Sequence, residues 1–191
     1  TVNSNKNGGK NMLKKEITNA ILDAMFGRRA SLGYTNAGSA TMTRIINGTG
    51  GIYLGLSTTT PVISESGITG FTEPTDSEYK RVLVGGGDLA RSLWYMDAAQ
   101  GGIIKNGKQI LFPAAKKAAD GGTGYGTITH FGIFESSTDG SPIYVGHLSE
   151  VQNGAITETS ITVAAGEVPV FYKNTLILGL DVTEQSIINA G

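Results

Sequence analysis

From Gly51 onward the chain is cut into short alternating runs, and that spacing constrains the fold more than any single motif does. IYLGLS (52–57) sets Ile52, Leu54 and Leu56 against Tyr53, Gly55 and Ser57, the period-two pattern of a half-buried strand. YKRVLV (79–84), RSLWYM (91–96), QILF (109–112), TITHFGIF (127–134), PIYVGHL (142–148), ETSITV (158–163), PVFY (169–172) and TLILGLDV (175–182) follow. The later runs recur about every 8 to 16 residues, the interval of an all-β domain. STDGSP (137–142) and VQNGA (151–155) carry the Asp-Gly and Asn-Gly pairs of tight hairpins. With 28 glycines and only 7% aromatics, the composition suits strands and turns better than helical bundles. The pattern predicts an all-β fold, an antiparallel β-sandwich of jelly-roll-like or Greek-key type. Polar STTTPVISESGITGFTEPTDSE, running to residue 78, reads as a loop, and AAKKAAD (114–120) as a short helical or irregular excursion.

One helix is expected ahead of this domain. In MLKKEITNAILDAMF (12–26), Leu13, Ile17, Ile21 and Met25 recur every four residues, and Phe26 widens the stripe. Gly27 reads as its C-cap, with Arg28 and Arg29 complementing the negative end of the helix dipole. The apolar face packs either on its own domain or on another subunit. Residues 1–33 carry six Lys/Arg against Glu16 and Asp23, a net of +4 that leaves −5 for the rest. The expected organisation is a basic arm and helix over 1–33 and a β domain over 34–191.

Composition excludes several classes of function. At 191 residues and 39% hydrophobic content, one compact domain is expected. A net charge of −1 with 16% charged residues gives no pull toward nucleic acid or anionic membrane, so neither is an expected partner. Without cysteine there is no disulfide, thiolate nucleophile or zinc–cysteine site. No apolar run reaches the roughly 20 residues that span a bilayer. The polar start TVNSNKNGGK lacks a secretory signal core, and synthesis in a cytoplasm is expected.

The residues that could carry chemistry are few. Both histidines lie on predicted strands: His130 shares a face with Ile128, Gly132 and Phe134, and His147 with Ile143 and Val145. Each is read as a strand residue rather than a base or ligand. G-x-S-x-G is absent, and two histidines fall short of a zinc signature. EPTDSE (73–78) offers Glu73, Asp76 and Glu78, but not in the order of an EF-hand loop. GGG (85–87) and GGTGYG (121–126) fit neither phosphate-binding pattern. No cofactor, metal or catalytic set is expected.

The order of the pieces is more specific. LKKEITNAILDAMFG, IYLGLSTTTP, GFTEPTDSEYKRV, QILFPAA, YGTITHFGIFESSTDGSPIYVGHL and ITVAAGEVPVF occur in sequence, closed by TLILGLDV. This series resembles a family of small tail-fibre-like bacteriophage virion proteins over roughly residues 13 to 182, most specifically in THFGIF. Tyr125 stands where that family usually has Trp, Glu135 replaces its usual Asp, and 116–124 is longer than expected.

The resemblance implies a non-enzymatic virion protein, part of a tail appendage or fibre, that works by assembly. The helix face Leu13, Ile17, Ile21, Met25 and Phe26 would anchor it to other virion proteins or to further copies, as a trimer or dimer. Loops 57–78 and 114–126 would face outward. It also implies structural roles: Glu73 paired with Arg81 to pin the loop, a surface contact of about 0–1 kcal/mol, Tyr125 against Phe131, and His130 inside the sheet. Three other readings stay open. One is capsid decoration. Another is a host-glycan module stacking sugars on Trp94, Tyr95, Tyr79 or Tyr125. The third is a polysaccharide hydrolase using Glu73 and Asp76.

Overall fold

A computed structural model describes residues 31–32, 42–43, 51–85, 93–96, 103–152 and 155–179. The expected helix at 12–26, with Leu13, Ile17, Ile21, Met25 and Phe26, lies outside these residues, as does most of the 1–33 arm. The described strands are β1 (Ser31–Leu32), β2 (Met42–Thr43), β3 (Ile52–Ser57), β4 (Val62–Ser64), β5 (Gly67–Thr69) and β6 (Val82–Gly85). Next come β7 (Trp94–Met96), β8 (Ile103–Asn106), β9 (Ile110–Leu111), β10 (Gly126–Ile128), β11 (His130–Phe134) and β12 (Tyr144–His147). The last are β13 (Ser149–Gln152), β14 (Ala155–Glu158), β15 (Ile161–Val163), β16 (Val170–Phe171) and β17 (Ile177–Gly179). One 3₁₀ turn, Ala118–Asp120, falls inside the excursion expected at 114–120.

All pairings among these strands are antiparallel. They give a four-stranded sheet in the order β12-β11-β3-β6, a three-stranded sheet β17-β8-β7 and five two-stranded ribbons. The central sheet has an apolar inner face set by register. Leu54 lies opposite Ile133 and Leu56 opposite Phe131, all four buried. Tyr144 faces Ile133 from β12, and Phe171 packs edge-on to Phe131. Trp94 donates from Nε1 to the Val84 carbonyl, tying β7 to the outer edge of β6.

TITHFGIF is not one strand. The chain changes sheets at Thr129: β10 pairs with β15, while β11 pairs with β3 and β12. Thr129 N–H donates to the Ser57 carbonyl, and its own carbonyl accepts from Leu148. Every residue of β11 is buried, so this strand is covered on both faces. The Asp-Gly signal sits between β11 and β12, where Asp139 and Gly140 both have positive φ, 56° and 74°. Between β13 and β14 the two residues 153–154 are the Asn-Gly of the second signal.

Candidate functional site

The segment between β3 and β6 is read from sequence as a polar loop, yet it holds the β4–β5 hairpin and is fastened to the sheet at two levels. The first is a neck of hydroxyls. Thr58 N–H donates to the Thr72 carbonyl at 2.9 Å, and Thr59 Oγ1 donates to the Gly70 carbonyl at 2.5 Å. Thr72 N–H in turn reaches Ser57 Oγ and Thr59 Oγ1, each at 3.1 Å. The run STTT therefore supplies side-chain partners where the two chains have no regular ladder.

The second level is an ion pair. Arg81 Nε donates to Glu73 Oε1 at 2.9 Å and Nη2 to Oε2 at 2.7 Å, a bidentate fork. Nη1 donates to the carbonyls of Ser136 and Asp139, at 3.0 and 2.7 Å, in the β11–β12 connection. The guanidinium carbon lies 3.5 Å from the centre of the Phe134 ring. Arg81's side chain is 4% exposed and Glu73's 28%. This is a desolvated pair, not the surface contact expected from sequence, and losing one partner strands a buried charge.

Tyr79 joins the cluster. Its hydroxyl donates to Glu73 Oε1 at 2.8 Å and accepts from Leu56 N–H at 2.8 Å. β6 begins only at Val82, opposite Leu54, so Leu56 N–H has no strand partner there and the phenol takes its place. Burial, above all, raises the Tyr79 pKa far beyond the usual range; the Leu56 N–H opposes this and the Glu73 carboxylate adds to it. Tyr79 is thus a neutral donor at any physiological pH.

Room for these groups comes from glycine. Gly55 and Gly132 sit opposite each other. A Cβ on Gly132 would lie 2.7 Å from the Phe71 ring, and one on Gly55 would lie 2.8 Å from Phe134 and 3.1 Å from Glu73 Oε1. Phe71 meets Phe134 edge-on at 5.2 Å. Phe71, Phe134, Gly55 and Gly132 were not among the residues singled out from sequence. Their signal is a glycine inside each of two strand runs, which marks a close approach. A depression of about 230 Å³ lies beside the pair, lined by Phe71, Glu73, Arg81, Phe134, Gly140 and Pro142.

The histidines come together at the other end of the same sheet face. His130 and His147 are cross-strand partners with ring centres 4.2 Å apart. His147 Nε2 is 3.5 Å from Glu158 Oε1, and His130 Nδ1 is 2.8 Å from Thr129 Oγ1. Burial, then the neighbouring ring, pushes the His130 pKa down to about 4, with Glu158 opposing. The nearby Ser57 hydroxyl is engaged with the loop neck, donating to the Thr59 carbonyl.

The remaining candidates are dispersed. Asp76 Oδ1 accepts from Glu78 N–H, and both its oxygens accept from Lys116 N–H, tying the loop to the 113–117 segment. It shares no site with Glu73. Among the described residues no cluster of three or more His, Asp or Glu is placed to hold a metal ion. Trp94 and Tyr125 are 2% and 3% exposed, so neither presents a ring face to a sugar, and the stacking role expected of them does not hold. Tyr125 meets Tyr79 edge-on, and Phe131 meets Tyr144 and Phe171; the Tyr125–Phe131 contact expected from sequence is replaced by these. Tyr125's hydroxyl donates to the Pro113 carbonyl. Burial, with Asp76 and Glu78 nearby, pushes its pKa up to about 12. Tyr95 lies in β7, but its side chain is outside the described set.

These contacts define a class: a β-rich protein in which the polar groups singled out from sequence fasten loops to a sheet. The chain belongs to the family described as podophage GP4 fiber I protein gp80, whose model matches residues 13–170. No curated protein matches it. Membership makes it a phage fibre protein and places it on the virion.

Proposed function

We propose that the protein is a non-enzymatic fibre component that works by assembling with other virion subunits, its β domain closing as an antiparallel sandwich. The observation that carries this reading is the family match over residues 13–170. An outward apolar stripe supports it. In the β9–β16 ribbon, Ile110, Phe112, Pro169 and Phe171 point inward, while Leu111, Val168 and Tyr172 are 50%, 43% and 42% exposed. Leu111 lies opposite Val170, and Val168 and Tyr172 flank it on the same strand face, so the stripe is continuous.

In this reading a neighbouring virion subunit covers the stripe, the 1–33 arm and helix anchor the chain, and the assembled form is a trimer or dimer. A fibre family favours a tail appendage over capsid decoration. The test is complementation of a phage lacking the protein. Leu111→Ser/Tyr172→Ser in the full chain is expected to stay folded and monodisperse yet incorporate poorly, and deletion of 1–27 to abolish incorporation. Normal incorporation of both variants would refute the assembly reading.

A further inference from the structure

His130 and His147 form the last rung of the β11–β12 ladder. One residue further on, Leu148 N–H donates to the Thr129 carbonyl, and the Leu148 carbonyl accepts from Thr159 N–H. The chain then enters β13, where Ser149 pairs with Glu158. The two rings therefore sit where the edge strand of the central sheet hands over to the β13–β14 ribbon. Three ionisable groups at this corner come from three strands: His130 from β11, His147 from β12 and Glu158 from β14.

Their environments differ. His130 is 5% exposed on a strand buried on both faces. Thr129 Oγ1 lies between His130 Nδ1 at 2.8 Å and the Thr59 carbonyl at 3.2 Å. His147 is 41% exposed and Glu158 59%. Among the described residues, His147 and Glu158 are the charged groups that act on His130. β3 presents Ser57 opposite His130, and the loop neck presents Thr59 and Thr72. The Glu73–Arg81 pair lies at the far end of the face, over Phe134.

We propose that His130, His147 and Glu158 form an acid-sensitive latch, which holds the β12–β13 corner on the central sheet while the rings are neutral and releases it when both are charged. A single cation is tolerated at this corner, because the exposed His147 ring has Glu158 Oε1 3.5 Å away. A second proton on His130 places two cations in a pair 4.2 Å apart, one of them desolvated and without a carboxylate of its own. Moving β12 away from β11 relieves both costs and breaks the Leu148–Thr129 bond with it. The low pKa of His130 agrees with this, since it reports how strongly the closed corner resists that second proton.

The test is amide hydrogen exchange of the full chain, corrected for intrinsic rates, together with NMR titration of the imidazoles. Between about pH 7 and pH 4.5, protection in peptides covering 143–150 is expected to fall roughly tenfold or more while 52–57 stays protected. In His147→Asn, an exposed position, that loss is expected to shrink by about threefold, with His130 titrating higher by roughly half a pH unit. His130→Gln is expected to abolish the loss where it folds. Unchanged protection of 143–150 down to pH 4.5 in the parent would overturn the latch. So would an unchanged loss or an unchanged His130 titration in His147→Asn.

Discussion

Replacing Glu73 by Gln tests the loop fastening directly. The amide keeps the shape of the carboxyl but turns one of its two acceptors into a donor aimed at Arg81 Nη2, which now bonds Oε2 at 2.7 Å. The fork is lost, and a side chain that is 4% exposed keeps its charge without a counter-ion. Breaking a fully buried pair costs about 3–5 kcal/mol. Glu73 is 28% exposed, and Arg81 retains the Ser136 and Asp139 carbonyls and the face of Phe134. About 2–3 kcal/mol is therefore expected, or roughly 4–12 °C in Tm for a chain of this size. Arg81→Met should also destabilise, but the double variant should lose much less than the sum, because replacing both charges leaves neither stranded. Urea unfolding of the four proteins gives the coupling energy, expected at about 1.5–3 kcal/mol. A Glu73→Gln loss below about 0.5 kcal/mol, or strict additivity, would mean that the pair behaves as a solvated contact.

Gly132→Ala forces a Cβ to within 2.7 Å of the Phe71 ring; a loss of about 1–3 kcal/mol is expected, partly recovered by adding Phe71→Leu. Asn106 is fully buried, and its side chain donates to the Lys108 and Tyr172 carbonyls and accepts from Leu176 N–H. Asn106→Ala should cost about 2–4 kcal/mol by urea unfolding, because three backbone groups, the buried Leu176 N–H among them, each lose a partner at once. His130, at about 4 in the folded protein, lies below its unfolded value, so its contribution to stability is present above about pH 6.5 and is lost as pH falls toward 4. The parent should lose roughly 2 kcal/mol more than His130→Gln between pH 7 and pH 5, read from urea midpoints.

Strand positions were legible where one face meets the core. IYLGLS became β3 at its expected bounds because Leu54 and Leu56 alternate with polar or small residues. β8 was not read as a strand, and of the β13–β14 hairpin only the Asn-Gly turn was read. β8 contains Lys105 and Asn106, and Asn106 is buried only because its amide reaches three backbone partners, a compensation periodicity does not register. The break at Thr129 was illegible for a related reason: an apolar run gives no sign of where a chain leaves one sheet for another. At the candidate site, the family resemblance implied a Glu73–Arg81 pair, but its burial depends on Ser136 and Asp139, more than 50 residues away. Trp94 and Tyr125 offer no sugar platform because a chain with 7% aromatics spends them on its core.

Fastening and exposure belong together in this chain. The β4–β5 hairpin carries Val62 and Ile63, 59% and 70% exposed. Adjacent strand residues point to opposite faces, so both faces of this ribbon present apolar surface. An isolated two-stranded hairpin is marginal in water, and this one has neither a disulfide nor its own core to hold it. What fixes its direction is its base: the Ser57 and Thr59 hydroxyls on the Thr72 and Gly70 main chain, then Glu73 gripping Arg81, which grips the β11–β12 connection in turn. A protein that works by contact gains affinity when its contact elements are ordered before the partner arrives, because the entropy of ordering them is then not charged to binding. Buried charge at the root of an exposed apolar hairpin is therefore coherent with an assembly role. It spends stability on desolvating Arg81 and returns it as a fixed orientation, which a purely apolar anchor, free to slide or repack, specifies less well.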